Sequence, residues 1–466
     1  MISFDNINKP NWGCRFIRWF LWNLIVNMYG FPVHNYVYYR RFYVFHSERI
    51  PKGEPTVVIC NHQNGFFDPW GIIYAFKKEG LRYPFFIARA DVFKKEIAAK
   101  FLRFLRIMPA FRADDVGKDG LRGNYEIFDK SAEILAGDNG VVCIFPEGGH
   151  EYIHHLRTFK KGFARIAFAA AEKANFEKTI YILPTSNHYS NYFSSGNKLI
   201  ITIGESFTFE DLYDIYKQHP QRAQKILTDR ARKKVSDIML DIKDKNCYEE
   251  YDMIRRIYSK EYVKKQGLSA SYFPNIFEAE KKIVATLDQF RNDHNEEFNM
   301  LLTQVKEYSC ILDKLHLSDC SFGQKWNLGA FLLRCLTAIL LVPFIIYGFI
   351  VNFIPYYAGT LVTKRIKDKM LHPSFNILIW ALLSFPLWYI ILFTIFWCFT
   401  GIWWAALLYL VSLPVSLVIY IHSTIFVKKQ YNLLRSFCFG FRKNCFYLRA
   451  IELRKEIIGS VEKLMK

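Results

Sequence analysis

The 466-residue sequence lacks a disulfide framework: its ten cysteines are scattered, and no two stand at Cys-x-x-Cys spacing. Two of them, Cys335 and Cys398, lie inside apolar stretches. This excludes a cysteine-stapled secreted scaffold and suits a catalytic domain facing a reducing compartment. A cleavable signal is also missing from the expectation, because the apolar stretch Cys14 to Tyr29 is broken by Arg15 and Arg18 and no small-residue cleavage site follows. Acidic residues are scarce, with 43 Asp and Glu against 62 Lys and Arg, which gives a formal net charge of +19. Such an excess favours an anionic partner. Without an Arg-rich arm, zinc-finger spacing or RNA-binding motif, no nucleic acid is expected; a phospholipid surface is, with generic basic solubility as the bland alternative. No nucleophile elbow around a Ser or Cys is present, so a covalent intermediate is not expected either.

What is present is unevenly distributed. Residues 1–39 form an N-terminal interfacial region, in which Trp12, Phe16, Trp19, Phe20, Trp22 and Leu24 alternate with Arg15 and Arg18. That pattern fits a helix in the headgroup zone or an ordinary docking helix. Residues 40–205 alternate short apolar strands, Thr56–Asn61, Tyr83–Ala88, Val141–Phe145, Thr179–Pro184 and Leu199–Gly204, with helical patterns over Asn124–Leu135 and Phe159–Lys173. The alternation predicts an α/β domain with a mixed, largely parallel sheet flanked by helices. Residues 206–325 form a charged helical insert whose apolar stripe, Phe298, Leu301, Leu302, Val305, Tyr308, Ile311, Leu312 and Leu315, reads as core.

Residues 326–427 hold three apolar segments, Cys335–Ile354, Phe375–Phe399 and Gly401–Ile421, each long enough for about 30 Å of hydrocarbon. Lys364, Arg365, Lys367 and Lys369 precede the second segment, and Lys428 and Lys429 follow the third. The positive-inside rule makes those two segments a hairpin with both basic flanks cytoplasmic. Pro343 suggests that the first segment enters and returns, or lies flat. Residues 428–466 read as a basic amphipathic tail.

Four blocks of the α/β region carry chemistry. Asn61-His62-Gln63-Asn64-Gly65-Phe66-Phe67-Asp68-Pro69 follows a strand, where such sheets present catalytic groups. A histidine with a nearby carboxylate is the minimum for general-base work on a hydroxyl. Arg106-Ile107-Met108-Pro109-Ala110-Phe111-Arg112 ends in a guanidinium suited to phosphate. Phe145-Pro146-Glu147-Gly148-Gly149 runs from a strand into a turn that exposes N–H groups to an anion, and Lys160-Lys161-Gly162 opens a helix with the same preference. Ile182-Leu183-Pro184-Thr185 is a strand exit that could line the same cleft. Alone, each block is ordinary loop or strand end.

In order and rough spacing, Asn61-His62…Asp68, Pro109…Arg112, Phe145-Pro146-Glu147-Gly148 and Leu183-Pro184 resemble the signature of the glycerolipid acyltransferase family, and Arg157–Gly162 resembles its lysine-glycine stretch. Five residues between His62 and Asp68, rather than four, resemble a branch that includes glycerol-3-phosphate and dihydroxyacetone-phosphate acyltransferases. Gly149-His150 stands where the family usually has Thr-Arg or Thr-Ser, with Arg157 or Lys161 as substitute arms of the phosphate grip.

The resemblance implies a glycerol-phosphate acyltransferase-like fold and an integral membrane enzyme, its catalytic domain on the cytoplasmic face. It would pass a fatty acyl group from acyl-CoA or acyl carrier protein to glycerol 3-phosphate or 1-acyl-glycerol 3-phosphate. His62 and Asp68 would be catalytic, and Arg112, Glu147, Gly148, Asn64, Lys160 and Lys161 would bind substrate, with no metal and no cofactor beyond the thioester co-substrate. Two rival readings compete. His150-Glu151-Tyr152-Ile153-His154 matches the zincin pattern, which on a helix would make a zinc peptidase. A non-catalytic lipid-binding scaffold would keep the fold without turnover.

Overall fold

The computed structural model describes residues 12–30, 39–65, 67–94, 96–110, 123–137, 139–192, 196–322, 328–364 and 372–465. Arg112 and most of the basic cluster at 364–369 therefore lie outside the described residues. The chain divides into two compact units.

The first unit is built on a seven-stranded sheet: β1 (Tyr39–Phe45), β2 (Thr56–Cys60), β3 (Phe85–Arg89), β4 (Ile107–Ala110), β5 (Val141–Ile144), β6 (Tyr181–Tyr189) and β7 (Asn197–Ile203). The strand order is β1-β7-β6-β2-β5-β3-β4. Every neighbouring pair is parallel except β6 and β7. The mixed, largely parallel sheet expected from the alternation is therefore present. Its helices are α1 (Trp12–Trp22), α2 (Asp68–Lys78), α3 (Glu96–Phe104), α4 (Gly123–Ala136), α5 (Gly162–Lys173), α6 (Tyr213–Gln218) and α7 (Pro220–Ile238). β2 is buried along its whole length, as a central parallel strand covered on both faces must be.

Three elements differ from the sequence reading. β6 does not exit at Pro184 but continues through Thr185, Ser186, Asn187 and His188 to Tyr189: the Thr185 hydroxyl bonds the Ile59 carbonyl of β2, the Ser186 hydroxyl the Ile238 carbonyl at the end of α7, and the Asn187 N–H the Asn61 side chain. The helix expected from Phe159 starts only at Gly162. At the N-terminus, Phe16, Trp19 and Phe20 are more than half exposed. Trp22, by contrast, stacks on Tyr83 at 4.0 Å between ring centroids, so part of this segment docks on the domain.

The second unit contains α8 (Tyr248–Lys265), α9 (Phe273–Asp293) and α10 (Asn295–Leu315), followed by α11 (Leu328–Thr363). The eight-residue apolar stripe of α10 is wholly buried, so it is core. α12 (His372–Ile379) groups with the first unit. α13 (Phe385–Thr400), α14 (Trp403–Phe441) and α15 (Cys445–Leu464) complete the second.

α11 and α14 are each long and apolar enough to cross a membrane. Contrary to the re-entrant expectation, α11 runs unbroken through Pro343 and Pro355 and does not turn back. Gly401, at φ 65°, ends α13 in the left-handed conformation that glycine tolerates, and α14 packs alongside it. The segment expected to span from Phe375 to Phe399 is divided, and α13, at 16 residues, is shorter than a span. In the tail, Ala450, Leu453, Ile457 and Val461 of α15 are buried, and Arg449 pairs with Glu307 of α10 at 2.9 Å. That stripe packs within the unit, whereas Phe437, Phe441 and Phe446 stay exposed.

Candidate active site

The site grows from the C-terminal ends of β2 and β5. Their parallel register sets Ile59 opposite Ile144, which brings His62 and Glu147, each three residues further on, level with one another. The His62 N–H donates to Glu147 Oε1 at 2.7 Å. Glu147 Oε2 accepts the Arg157 N–H at 3.2 Å. Both carboxyl oxygens thus hold backbone, and Glu147 is 3% exposed. It joins the histidine loop to the loop after β5, rather than presenting both oxygens to a substrate. Burial pushes its pKa up to about 8, against the two N–H donors and Arg157, which lower it.

His62 Nδ1 lies 2.7 Å from Asp68 Oδ2. The same oxygen accepts the Gln63 and Asn64 N–H groups, each at 2.9 Å. Asp68 Oδ1 accepts Asn187 Nδ2 at 3.1 Å and the Tyr189 hydroxyl. Asp68 is fully buried, and as the first residue of α2 it also faces the positive end of that helix. Burial, then the Asp68 charge, push the Tyr189 phenol well above its usual range, so it remains a proton donor. With Nδ1–H given to Asp68, the basic lone pair of His62 is on Nε2, which meets no partner among the described residues.

The residue that lengthens the His-to-Asp spacing is absorbed in a tight turn. The Asn64 carbonyl accepts both the Phe67 N–H at 2.8 Å and the Asp68 N–H at 3.2 Å. Asp68 thereby returns to the imidazole. Asn64 itself is 1% exposed, and neither end of its carboxamide has a partner among the described residues. A buried amide with donor and acceptor both unmet costs a few kcal/mol and invites a ligand group or water.

The basic residues sort themselves by geometry. Gly148 has φ 70°, and a Cβ there would stand 3.1 Å from Lys160 Cε. At Gly149 a Cβ would stand 2.8 Å from Arg157 Nη1. Lys160 and Arg157 therefore lie against the Gly-Gly turn. Lys161 instead directs its ammonium to Gln221, at 3.4 Å from the carbonyl oxygen. Arg106, at the start of the second block, is buried, donates to the Tyr83 carbonyl at 3.1 Å and lies over the Tyr83 ring, a structural role.

The zincin geometry is absent: residues 150–159 contain no helix, so His150 and His154 are not displayed from one helical face. Among the described residues no thiol competes as nucleophile beside the histidine. Cys60 and Cys143 are fully buried, and burial followed by the Asp68 charge raises both well above the usual thiol range.

Asn187, Tyr189 and Gln63 were not singled out in the sequence. The only signal was a polar run, Thr185-Ser186-Asn187-His188, directly after an apolar strand and before another aromatic.

Residues 41–187 match the family model described as Acyltransferase. His62, Asp68 and Glu147 all fall within the matched residues. No curated protein matches the sequence. Among solved structures, the chain is similar to the 1-acyl-sn-glycerophosphate (LPA) acyltransferase PlsC from Thermotoga maritima. The identity is 18%, over 50% of this chain and 87% of that one, with a TM-score of 0.32.

Proposed function

We propose that this protein is a membrane-bound O-acyltransferase of phospholipid biosynthesis. It transfers a fatty acyl group from acyl-CoA or acyl carrier protein to a hydroxyl of glycerol 3-phosphate or 1-acyl-glycerol 3-phosphate. The observation that carries the reading is the 2.7 Å contact of His62 Nδ1 with the buried Asp68 carboxylate, inside the matched domain.

In the proposed reaction His62 Nε2 takes the proton of the acceptor hydroxyl as its oxygen bonds to the thioester carbon. The tetrahedral oxyanion then collapses, the C–S bond breaks, and the thiolate leaves with the proton held on His62. Asp68 fixes the tautomer and stabilises the imidazolium. Arg157 and Lys160, lying on the Gly148-Gly149 turn, are well placed by charge for the acceptor phosphate; Arg112 stays a candidate from the sequence alone. The orphaned Asn64 carboxamide suits a polar group of the substrate. The thioester serves as co-substrate, and the scheme calls on no metal. α11 and α14 would anchor the chain, and the scattered, unpaired cysteines suit a catalytic domain on the cytoplasmic side.

The test is radiolabelled acyl transfer by purified protein, with each acceptor offered in turn and both donors tried. Transfer that vanishes in His62→Ala, while membrane association persists, is the expected outcome. Undiminished transfer in that variant would require another base. Lipid binding without any transfer would make the protein a scaffold.

A further inference from the structure

One imidazole near the base, that of His150, stands where the family pattern usually has Arg or Ser. His150 follows the Gly148-Gly149 turn, and its ring centroid lies 5.4 Å from that of His62, with the planes inclined by 60°. Its position is braced. The Tyr152 ring packs edge-on against it at 5.4 Å, and Tyr152 in turn meets Tyr192 at 5.7 Å. The Tyr192 hydroxyl donates to Gln63 Oε1 at 3.2 Å, in the loop that carries His62. His62 also stacks on Phe145, with centroids 4.4 Å apart. The base thus has as neighbours an apolar ring and a second ring that carries N–H.

We infer that His150 is a second catalytic residue, which donates a hydrogen bond to the thioester carbonyl oxygen as that oxygen becomes negative. The inference rests on the acyl-transfer reading. The argument is one of reach. The attacking hydroxyl sits about 3 Å from His62 Nε2. The carbonyl oxygen is two bonds from the attacking oxygen in the tetrahedral species, whereas the phosphate of a glycerol-phosphate acceptor is several bonds further away. An imidazole one ring-to-ring contact from the base thus meets the carbonyl before it meets the phosphate. A donor held by neighbouring rings needs no reorganisation when the charge appears, which is where such groups act most strongly. The proton balance is unchanged: His150 donates a hydrogen bond and keeps its proton, and His62 carries the proton from hydroxyl to thiolate.

The experiment compares His150→Phe, His150→Gln and His150→Ala in full-length protein, with palmitoyl-CoA and radiolabelled glycerol 3-phosphate or 1-acyl-glycerol 3-phosphate. Phenylalanine keeps the packing against Tyr152 without a donor, and glutamine keeps a donor without the ring. Loss of one such donor costs about 10²-fold in kcat. His150→Phe and His150→Ala should each show that loss with acceptor KM little changed, and His150→Gln should recover at least about tenfold of it. A kcat for His150→Phe close to that of the parent protein overturns the inference, as does a loss confined to acceptor KM. Thermal unfolding midpoints check that the variants are folded. Absence of His62-dependent transfer with any acceptor removes the underlying reading, and the inference with it.

Discussion

The side chain of Asn61 pairs with the backbone of Asn187 as a further strand residue would. Its Oδ1 accepts the Asn187 N–H at 2.8 Å, and its Nδ2 donates to the Asn187 carbonyl at 3.0 Å. β2 ends at Cys60, yet the ladder with β6 is carried one step further by a carboxamide. This leaves the backbone of residue 61 at liberty to turn, so His62 can leave the sheet plane while the strands stay together. Asn187 then uses its own amide to hold Asp68.

Replacing Asn61 with Ala strands a buried N–H and a buried C=O on Asn187. The expected cost is about 1–3 kcal/mol in unfolding free energy, measured by denaturant titration in detergent. Under the proposed reaction turnover should fall as well, since the loop bearing His62 loses its tether. Unchanged stability in Asn61→Ala would show that the pairing contributes nothing.

Glu147 makes a pH prediction whose sign is set by its environment. Its carboxyl is raised from the ordinary 4.5 to about 8 by burial, so the folded state favours the protonated form. That contribution to stability is fully present below pH 4.5 and is lost as pH rises through 8. The loss is on the order of a few kcal/mol. Glutamine cannot ionise and still offers an acceptor to the His62 N–H. Unfolding midpoints from pH 5 to 9 should therefore fall more steeply in the parent protein than in Glu147→Gln. Parallel curves would exclude Glu147 as the titrating group.

Within the apolar unit, Asn352 of α11 is 2% exposed and joins three helices. Its Nδ2 donates to Ser416 Oγ at 3.1 Å, and its Oδ1 accepts the Tyr389 hydroxyl at 2.7 Å. Nearby Gly348 lets α14 approach so closely that a Cβ would stand 2.7 Å from Tyr420 Cβ. Buried polar links of this kind are worth about 0.6–2 kcal/mol in a bilayer. Asn352→Leu should increase susceptibility to detergent denaturation and protease, and Gly348→Leu should do so more strongly. Resistance equal to the parent protein in both would mean that the helices associate through other contacts.

The sequence exposed those parts of the fold whose pattern matches their environment. β2 is buried throughout and β5 from Val142 onward; His62 and Glu147 stand in the loops just beyond them, and Asp68 opens the following helix. Misreadings occurred where pattern and environment diverge. β1, Tyr39–Phe45, carries two arginines among aromatics because it is an edge strand, paired only with β7. β4 is four residues long and contains Pro109, both permitted at the opposite edge. The far half of β6 is polar because Asn61 and Asp68 reach into it, and no local period reveals partners more than a hundred residues away. Pro343 suggested a break, but α11 accommodates it within a continuous helix.

The parallel order of the strands has a consequence for biosynthesis. β2 lies between β5 and β6, so a nascent chain that has emerged only as far as Asp68 has neither neighbour of that strand. Asn187 and Tyr189, which fix the carboxylate, are translated more than a hundred residues after the histidine. Truncated products ending before β6 would contain the whole Asn61–Asp68 motif and still be inert. The His62–Asp68 pair can thus be fixed only once nearly the whole sheet has been synthesised.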